Sequence, residues 1–303
     1  MELSERQADR AAGVLLGTAA GDALGAGYEF THPGPEVPIF MKGGGTFFWA
    51  PGEWTDDTSM TIAVARAAAD VGDLHEETGL DAVAAEFVAW WDSVPPDIGN
   101  QTRMVLEARS PNAREMRERA RDLPGRKAGN GSLMRTAPVA LLYLDDADNC
   151  AKAAAWVSAL THYDPQAIDA CVLWSLAIRH AVVHGTYDGL REGLSAVDTA
   201  FWTPLLDQAE TGTPADFANN GWVVHALQTA WWAITHDESL TGALELAVRA
   251  GGDTDTTAAI AGGLLGAVHG ASAIPADWRE ILHGYPGYRA EDLLKLTERI
   301  TTR

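Results

Sequence analysis

The stretch 251–268, GGDTDTTAAIAGGLLGAV, contains the pattern that best predicts the fold. Gly251 and Gly252 mark the end of one helix, because glycine is a frequent residue just past a helix C-terminus. Asp253, Asp255 and Thr256 then start a second helix, since carboxylate and hydroxyl side chains cap helix N-termini and the helix dipole stabilises the negative charge. The second helix continues through small and apolar residues, which permit close approach of another helix.

The same helical periodicity recurs along most of the chain. Apolar residues at three- and four-residue spacing predict further helices over residues 14–23, 60–71, 168–182, 222–233 and 243–250. A charged helix from Ala113 to Arg121 is expected at the surface. Strand patterns are almost absent, and the glycine-rich residues 37–49 are interpreted as a loop rather than a hairpin. We therefore predict an all-α fold, with residues 1–303 forming a single compact domain of about a dozen or more helices. Two helical subdomains are the alternative.

Composition narrows the class of function. The 303 residues carry a net charge of −20, which disfavours non-specific binding to nucleic acid or to an anionic membrane. The two cysteines, Cys150 and Cys171, lack metal-site spacing and are expected to be buried core residues. The N-terminus is charged and no apolar run reaches about 18 residues, so neither a signal peptide nor a membrane span is expected. We expect a cytoplasmic protein.

A second acidic cluster occupies residues 54–58, WTDDT, and also opens an apolar helix. Taken alone, each cluster is explained by helix capping. One cap residue suffices, however, and both clusters offer several oxygen-bearing side chains. If the fold brings the clusters together, they form the all-oxygen site that hard divalent cations prefer. The candidate ligands, sufficient for two cations, are Thr55, Asp56, Asp57, Asp253, Asp255 and Thr256.

The segment 21–30, GDALGAGYEF, carries a candidate catalytic carboxylate. Glu29 stands between Tyr28 and Phe30 where a helix gives way to a loop. A carboxylate beside apolar rings can have a raised pKa, which suits general acid or base catalysis, although a solvated loop glutamate is an equally good interpretation. The glycines do not form a dinucleotide fingerprint, because no strand precedes them.

Two further segments could bind a ligand. Residues 129–135, GNGSLMR, predict a turn in which Ser132 caps the following helix, and exposed amides at a helix start bind phosphate well. Residues 161–165, THYDP, place His162 just before a helix capped by Asp164. His162 could donate a hydrogen bond to a phosphate or a sugar hydroxyl, although a lone histidine is more often structural.

Together these motifs resemble those of the ADP-ribosylglycohydrolase family, in order and over residues 13–270. The resemblance implies a compact all-α fold around a binuclear Mg²⁺ or Mn²⁺ centre in a central cleft, with the six candidate ligands named above holding the metals. It implies that the diphosphate and ribose of the substrate are held by Asn130, Gly131, Ser132, Met134, Arg135 and His162. It also places Glu29 near the scissile bond, with Glu29 or Asp56 as the catalytic carboxylate.

The implied activity is hydrolysis of the glycosidic bond between ADP-ribose and a modified acceptor, which releases ADP-ribose. A protein arginine is the first expectation for the acceptor; serine, a nucleic-acid base or a small conjugate are the others. A catalytically silent ADP-ribose binder and a metal-dependent hydrolase of another nucleotide or phosphate ester are the alternatives. Two features depart from the family pattern, namely Trp54 and the glycine- and aromatic-rich residues 32–49, and both lie where an acceptor would approach.

Overall fold

Fifteen α-helices dominate the computed structural model, which describes residues 2–303. Their bounds are α1 Glu5–Gly25, α2 Asp56–Val71, α3 Glu77–Asp92, α4 Asn100–Leu106, α5 Ala113–Asp122, α6 Pro138–Leu142, α7 Ala147–Ala159, α8 Pro165–His184, α9 Gly189–Glu192, α10 Thr199–Thr211, α11 Val223–His236, α12 Leu240–Arg249, α13 Thr254–His269, α14 Ala276–Ile281 and α15 Ala290–Thr301. Two short antiparallel strands, β1 (His283–Gly284) and β2 (Tyr288–Arg289), precede α15. The all-α prediction is confirmed.

Helices α1 and α13 make the most extensive contact in the molecule and run antiparallel. Glycines every fourth residue of α1, at positions 13, 17, 21 and 25, face residues 266, 262, 258 and 254 of α13. A Cβ atom added at any of these glycines would overlap a backbone oxygen of α13. Glycine is therefore required there because the two backbones touch. The contact brings the C-terminal end of α1 to the N-terminus of α13.

Helix α2 is fixed to this pair at its own N-terminus. The carboxylate of Asp22, on α1, accepts hydrogen bonds from the backbone N–H of Thr55 at 2.9 Å and of Thr58 at 2.9 Å, and from the Thr58 hydroxyl at 2.6 Å. Thr55 itself caps α2 through its hydroxyl. Because these bonds satisfy N–H groups that a helix start leaves without partners, Asp22 holds the first turn of α2 against α1.

The remaining helices enclose this centre in one continuous apolar core. Helix α8 is long and apolar enough to cross a membrane by length and composition, but 61% of its most apolar window is buried inside the protein. The core helix of a globular fold meets the same criterion, and we interpret α8 in that way. Cys150 and Cys171 are buried and free, as the sequence predicts.

The sequence-based helices agree with the structure to within a few residues at most ends. Residues 37–49 form an irregular loop, closed by a single antiparallel bridge between Gly44 and Trp49. Asp164 caps α8 as expected, by accepting from the N–H of Gln166. The prediction for Ser132 is wrong: residues 130–135 themselves form a 3-10 helix, and Ser132 lies inside it rather than capping the next helix.

Candidate metal centre and active-site cleft

The N-termini of α2 and α13 and the C-terminal end of α1 bring five carboxylates together. Oxygens of Asp22, Asp57 and Asp255 lie within 4.8 Å of one another, as do oxygens of Glu29, Asp253 and Asp255. Asp255 belongs to both groups and is therefore placed to bridge them. The two acidic clusters of the sequence thus converge.

Asp253 is oriented by two asparagines from other segments. The amide of Asn130 donates to the Asp253 carboxylate at 2.7 Å and to the backbone oxygen of Asn220 at 2.9 Å. The side-chain oxygen of Asn220 accepts from the backbone N–H of Asp253 at 3.0 Å, and its amide donates to the oxygen of Gly251 at 2.8 Å. These bonds orient the carboxylate, because both asparagines are buried and each is held by two hydrogen bonds of its own side chain.

Glu29 is brought to the site by a backbone connection between two loops. The N–H of Phe30 donates to the oxygen of Gly252 at 2.7 Å, and the N–H of Gly252 donates to the oxygen of Thr31 at 2.9 Å. The segment after α1 is therefore joined to the segment before α13. This connection holds the Glu29 carboxylate near Asp253 and Asp255.

Burial and mutual repulsion raise the pKa of these carboxyl groups. Burial, followed by the charges of Asp97, Asp253 and Asp56, raises the pKa of Glu29 to about 9. Burial and neighbouring carboxylates also raise the pKa of Asp56, Asp57 and Asp255 well above the ordinary value. For Asp22 burial raises the pKa to about 6, against the hydrogen bonds from Thr58 and Thr55. Nearby divalent cations act in the opposite direction, because they favour the charged form.

The residues present fit divalent cations. Two buried carboxylate oxygens, Glu29 Oε2 and Asp57 Oδ1, have no hydrogen-bond partner among residues 2–303. A buried carboxylate oxygen normally finds a donor or a cation, and the donor set here consists only of oxygens, which Mg²⁺, Mn²⁺ and Ca²⁺ prefer.

The six ligands predicted from the sequence all lie at or beside this centre, but only three of them belong to the two carboxylate groups. Asp57, Asp253 and Asp255 stand in the carboxylate groups. Asp56 and Thr256 line the cavity above them, and the Thr55 hydroxyl donates to Asp57 at 2.9 Å. Asp22 joins the set although the sequence did not suggest it. Asp57, Asp253 and Asp255 are thus the three predicted ligands that the structure places within these two carboxylate groups.

The cleft above the carboxylates has a volume of about 560 Å³. Four of the predicted substrate-binding residues, Asn130, Gly131, Met134 and His162, line it. A second cavity of about 690 Å³ adjoins it, since Gln101, Gly129 and Gly221 line both. Arg126, Lys127 and Trp222 line the second cavity, which therefore offers cationic groups and an aromatic face.

Ser132 and Arg135, also predicted to bind substrate, are fully buried behind the cleft wall. The Ser132 hydroxyl is hydrogen-bonded to Ser158 at 2.9 Å. The Arg135 guanidinium lies 4.4 Å from the ring centre of Phe87 and donates to the oxygen of Gly131 at 3.1 Å. Burial lowers the pKa of Arg135 to about 9. These two side chains help to hold the 129–135 segment in place, and their role in substrate binding stays a prediction.

Arg135 also sets the proton position on His162. Its guanidinium donates to the Thr161 hydroxyl at 2.6 Å, and that hydroxyl lies 2.7 Å from His162 Nδ1. A hydroxyl that accepts from arginine has its own proton free to donate to Nδ1, and we infer from this arrangement that Nε2 carries the imidazole hydrogen. Burial and the Arg135 charge keep the pKa of His162 well below its ordinary value, so the ring is neutral. His162 therefore offers one N–H donor beside Gly129 and Gly131.

Three residues of the site were missed by the sequence analysis. Asp22 could have been recognised because it is a carboxylate among the apolar residues of α1. The turn-forming pair Asn220-Gly221 was a weak signal for Asn220. Asp97 lines the cleft beside Glu29 and Asp56, and burial raises its pKa to about 6. It comes after two prolines in a loop, and nothing local distinguishes it from any other loop aspartate.

Comparison with known proteins agrees with this geometry. The family model described as ADP-ribosylglycohydrolase matches residues 3–303. The chain is 33% identical over 282 residues to the ADP-ribosylarginine hydrolase Tri1 of Pseudomonas putida, covering 91% of this chain and 75% of that protein. It is 32% identical over 282 residues to the ADP-ribosyl-(dinitrogen reductase) glycohydrolase of Rhodospirillum rubrum, covering 89% of each chain.

More distant similarities extend the comparison. Human ADP-ribosylhydrolase ARH3 is 24% identical over 337 residues, covering 92% of this chain and 91% of that protein. A solved structure described as an ADP-ribosylglycohydrolase-related protein complex superimposes with a TM-score of 0.76 at 30% identity, and covers 99% of both chains.

Proposed function

This chain belongs to the ADP-ribosylglycohydrolase family, a group of hydrolases that act on glycosyl bonds, and we propose that it releases ADP-ribose from modified arginine residues of a protein. The observation that carries the proposal is the convergence of Asp57, Asp253 and Asp255 with Glu29 at the floor of one cleft. Arginine is favoured as the acceptor because a relative at 33% identity is named for ADP-ribosylarginine. Serine, a nucleic-acid base and small conjugates are the acceptors to be compared with it.

Asp57, Asp253 and Asp255 would hold two divalent cations, Mg²⁺ or Mn²⁺, with Asp22, Asp56, Thr55 and Thr256 beside them. When bound, such cations polarise sugar oxygens and lower the pKa of a bound water. The chain itself contributes the positioning of the carboxylates, through Asn130, Asn220 and the capping bonds to Asp22. Outer residues of this kind fix ligand orientation and raise metal affinity.

The two adjoining cavities can take the two halves of ADP-ribose. We propose that the distal ribose lies over the carboxylates and that the diphosphate lies along the 129–131 backbone, where His162 donates from Nε2. The adenosine half would then enter the 690 Å³ cavity, where Trp222 offers a face for stacking and Arg126 and Lys127 offer positive charge. This placement requires the two cavities to adjoin each other, and they do, because Gln101, Gly129 and Gly221 line both.

Glu29, Asp56 and Asp97 are the candidates for proton transfer. All three line the cleft, and they face one another closely enough that the charges of Asp97 and Asp56 raise the pKa of Glu29. Cleavage at the anomeric carbon needs a carboxylate to deprotonate water or a carboxylic acid to protonate the leaving nitrogen. A group with a raised pKa suits the acid, and a group held ionised suits the base.

The test is release of free ADP-ribose from proteins modified on arginine, serine or glutamate, and from modified nucleic acid, with Mg²⁺ or Mn²⁺. Asp255→Asn should lower kcat/KM about 1,000-fold, because it removes the carboxylate shared by both groups. Asp122→Asn, an exposed aspartate on α5, is the matched control and should retain full activity. Full activity of Asp255→Asn or in excess chelator would contradict the proposal, as would release of phosphate or AMP in place of ADP-ribose.

A further inference from the structure

A third, smaller pocket lies on the other side of Asp56 and Asp97 from the centre of the cleft. It has a volume of about 150 Å³, and Asp56, Pro96 and Asp97 line both it and the cleft. Its other walls are mostly apolar and include Trp49, Trp54, Trp90, Val94 and Pro95. We call it the indole pocket. A cavity of roughly this size holds a benzene-sized group.

Trp49, which lines this pocket, carries a hydrogen-bond donor without a partner among residues 2–303. The side chain is 8% exposed, and its buried indole N–H has no hydrogen-bond partner within the part of the chain that the structure describes. By contrast, the indole N–H of Trp54, in the same pocket, donates to the oxygen of Tyr285 at 3.1 Å. Because a buried N–H without a partner is destabilising, the Trp49 donor points to a ligand acceptor such as a peptide carbonyl.

Near the pocket, apolar side chains are exposed to solvent and do not belong to the core of the fold. Val94, which lines the pocket, is 82% exposed, and Phe48, which directly precedes Trp49 in the chain, is 88% exposed. Both have left-handed backbones, with φ of 58° and 61°. Side chains rarely adopt this conformation, and it is most unfavourable for a β-branched residue such as valine. Strained, exposed apolar residues at a cleft are typical of binding surfaces.

The charged residues that line the indole pocket limit the kind of ligand it can bind. Glu53, Asp56 and Asp97 line the indole pocket, whereas Arg126 and Lys127 line the 690 Å³ cavity. An acidic or phosphate-bearing group would therefore be repelled from the indole pocket, whereas a neutral or basic peptide would be attracted to it. Since the pocket adjoins the reacting end of the cleft, the adjacent polypeptide is the part of the substrate that can reach it.

We propose that the indole pocket binds the acceptor protein, by receiving an apolar side chain of the segment that flanks the modified arginine while Trp49 donates to a carbonyl of that segment. This rests on the proposed function, and it makes the enzyme selective for the sequence around the modified residue. Phe48 and Val94 extend the same contact outward. The ADP-ribose half of the substrate does not touch this pocket.

The experiment compares two substrates with the same linkage: ADP-ribosylated free arginine, and an ADP-ribosylated peptide with leucines flanking the arginine. Trp49→Phe keeps an aromatic side chain, although a smaller one, and removes the donor, and Val94→Asn removes the apolar side chain at an exposed position. Each should raise KM for the peptide roughly 3- to 10-fold, the effect of losing one hydrogen bond or one apolar contact, and should change kcat/KM for free ADP-ribosylarginine less than about twofold.

Phe40→Asn is the matched control, because Phe40 is an exposed phenylalanine of the same loop that lines neither the cleft nor the indole pocket. It should leave both substrates unchanged. Replacing the flanking leucines of the peptide with aspartates should remove the preference of the wild-type enzyme for the peptide over free ADP-ribosylarginine. Equal effects of Trp49→Phe and Val94→Asn on both substrates would overturn the inference while leaving the proposed function intact. Failure of the unmodified enzyme to release ADP-ribose from either substrate would overturn both.

Discussion

The floor of the cleft and its rim differ in how closely their residues are packed against the rest of the protein. At the floor, Gly17 and Gly262 bring the backbones of α1 and α13 into contact. The carboxylates there lie at helix ends that this contact fixes. At the rim, Phe48 and Val94 are exposed and have left-handed backbones. The floor thus has the fixed geometry that the proposed metal binding requires, and the rim has the exposed apolar side chains that the proposed acceptor contact requires.

The difference teaches where specificity can change without loss of the centre. A side chain on the rim is exposed, so a substitution there is expected to alter contacts with the proposed acceptor without displacing the carboxylates at the floor. A side chain on the floor serves packing, capping and ligation together. Asp22, for example, both caps α2 and joins the carboxylates. Substitution at the floor therefore affects stability and activity together.

The largest expected effect comes from adding one methyl group between α1 and α13. Gly262→Ala should destabilise the protein by more than about 4 kcal/mol, because the new Cβ overlaps the backbone oxygen of Gly17 and can be accommodated only if the helices separate. Gly44→Ala is the control on the rim, where an added Cβ would meet no atom of residues 2–303 within 4 Å and only the left-handed φ of 80° is costly, by about 1 kcal/mol. Urea unfolding monitored by tryptophan fluorescence compares them, and similar losses in the two variants would contradict the proposed contrast.

An intermediate effect is expected for Asp22→Asn. An amide offers one acceptor oxygen instead of two and carries no charge, so Mn²⁺ affinity should fall about 10- to 100-fold, which corresponds to about 1.4–2.7 kcal/mol. Asp169→Asn is the control, since Asp169 also accepts a side-chain hydrogen bond, from the indole N–H of Trp202 at 3.2 Å, and does not line the cleft. Isothermal titration calorimetry measures both variants. Unchanged Mn²⁺ affinity in Asp22→Asn would show that Asp22 is only a helix cap.

The smallest expected effect is a gain in stability at the rim. Val94→Asn should raise the free energy of unfolding by about 0.5–1 kcal/mol, because asparagine tolerates the left-handed conformation far better than valine does. Val71→Asn is the control: Val71 is also exposed but lies at the end of a helix, and no gain is expected there. Thermal melts detect the difference. If Val94→Asn is no more stable than the original protein, the backbone of Val94 is not strained and the contrast between floor and rim weakens.

Much of the fold and part of the site could be predicted without the structure. Helix periodicity is local, so α2, α5, α8, α11 and α13 were predicted nearly to their ends. The acidic clusters were visible because Asp57 and Asp255 lie next to helix starts. The role of Ser132 was wrong, since a turn followed by a serine is also compatible with a 3-10 helix whose serine faces the core.

The sequence by itself determined the helical class, the places where helices begin and the concentration of oxygen ligands at two of those places, because periodicity, capping and charge act over a few residues. The tertiary structure alone decided which carboxylates meet. The four-residue glycine spacing of α1 is visible in the sequence, but its partner on α13 is not. That contact places Asp22 beside Asp255, and the backbone connection between Phe30 and Gly252 adds Glu29. Other tertiary contacts bury Arg135 behind the cleft and leave the indole N–H of Trp49 without an acceptor among residues 2–303.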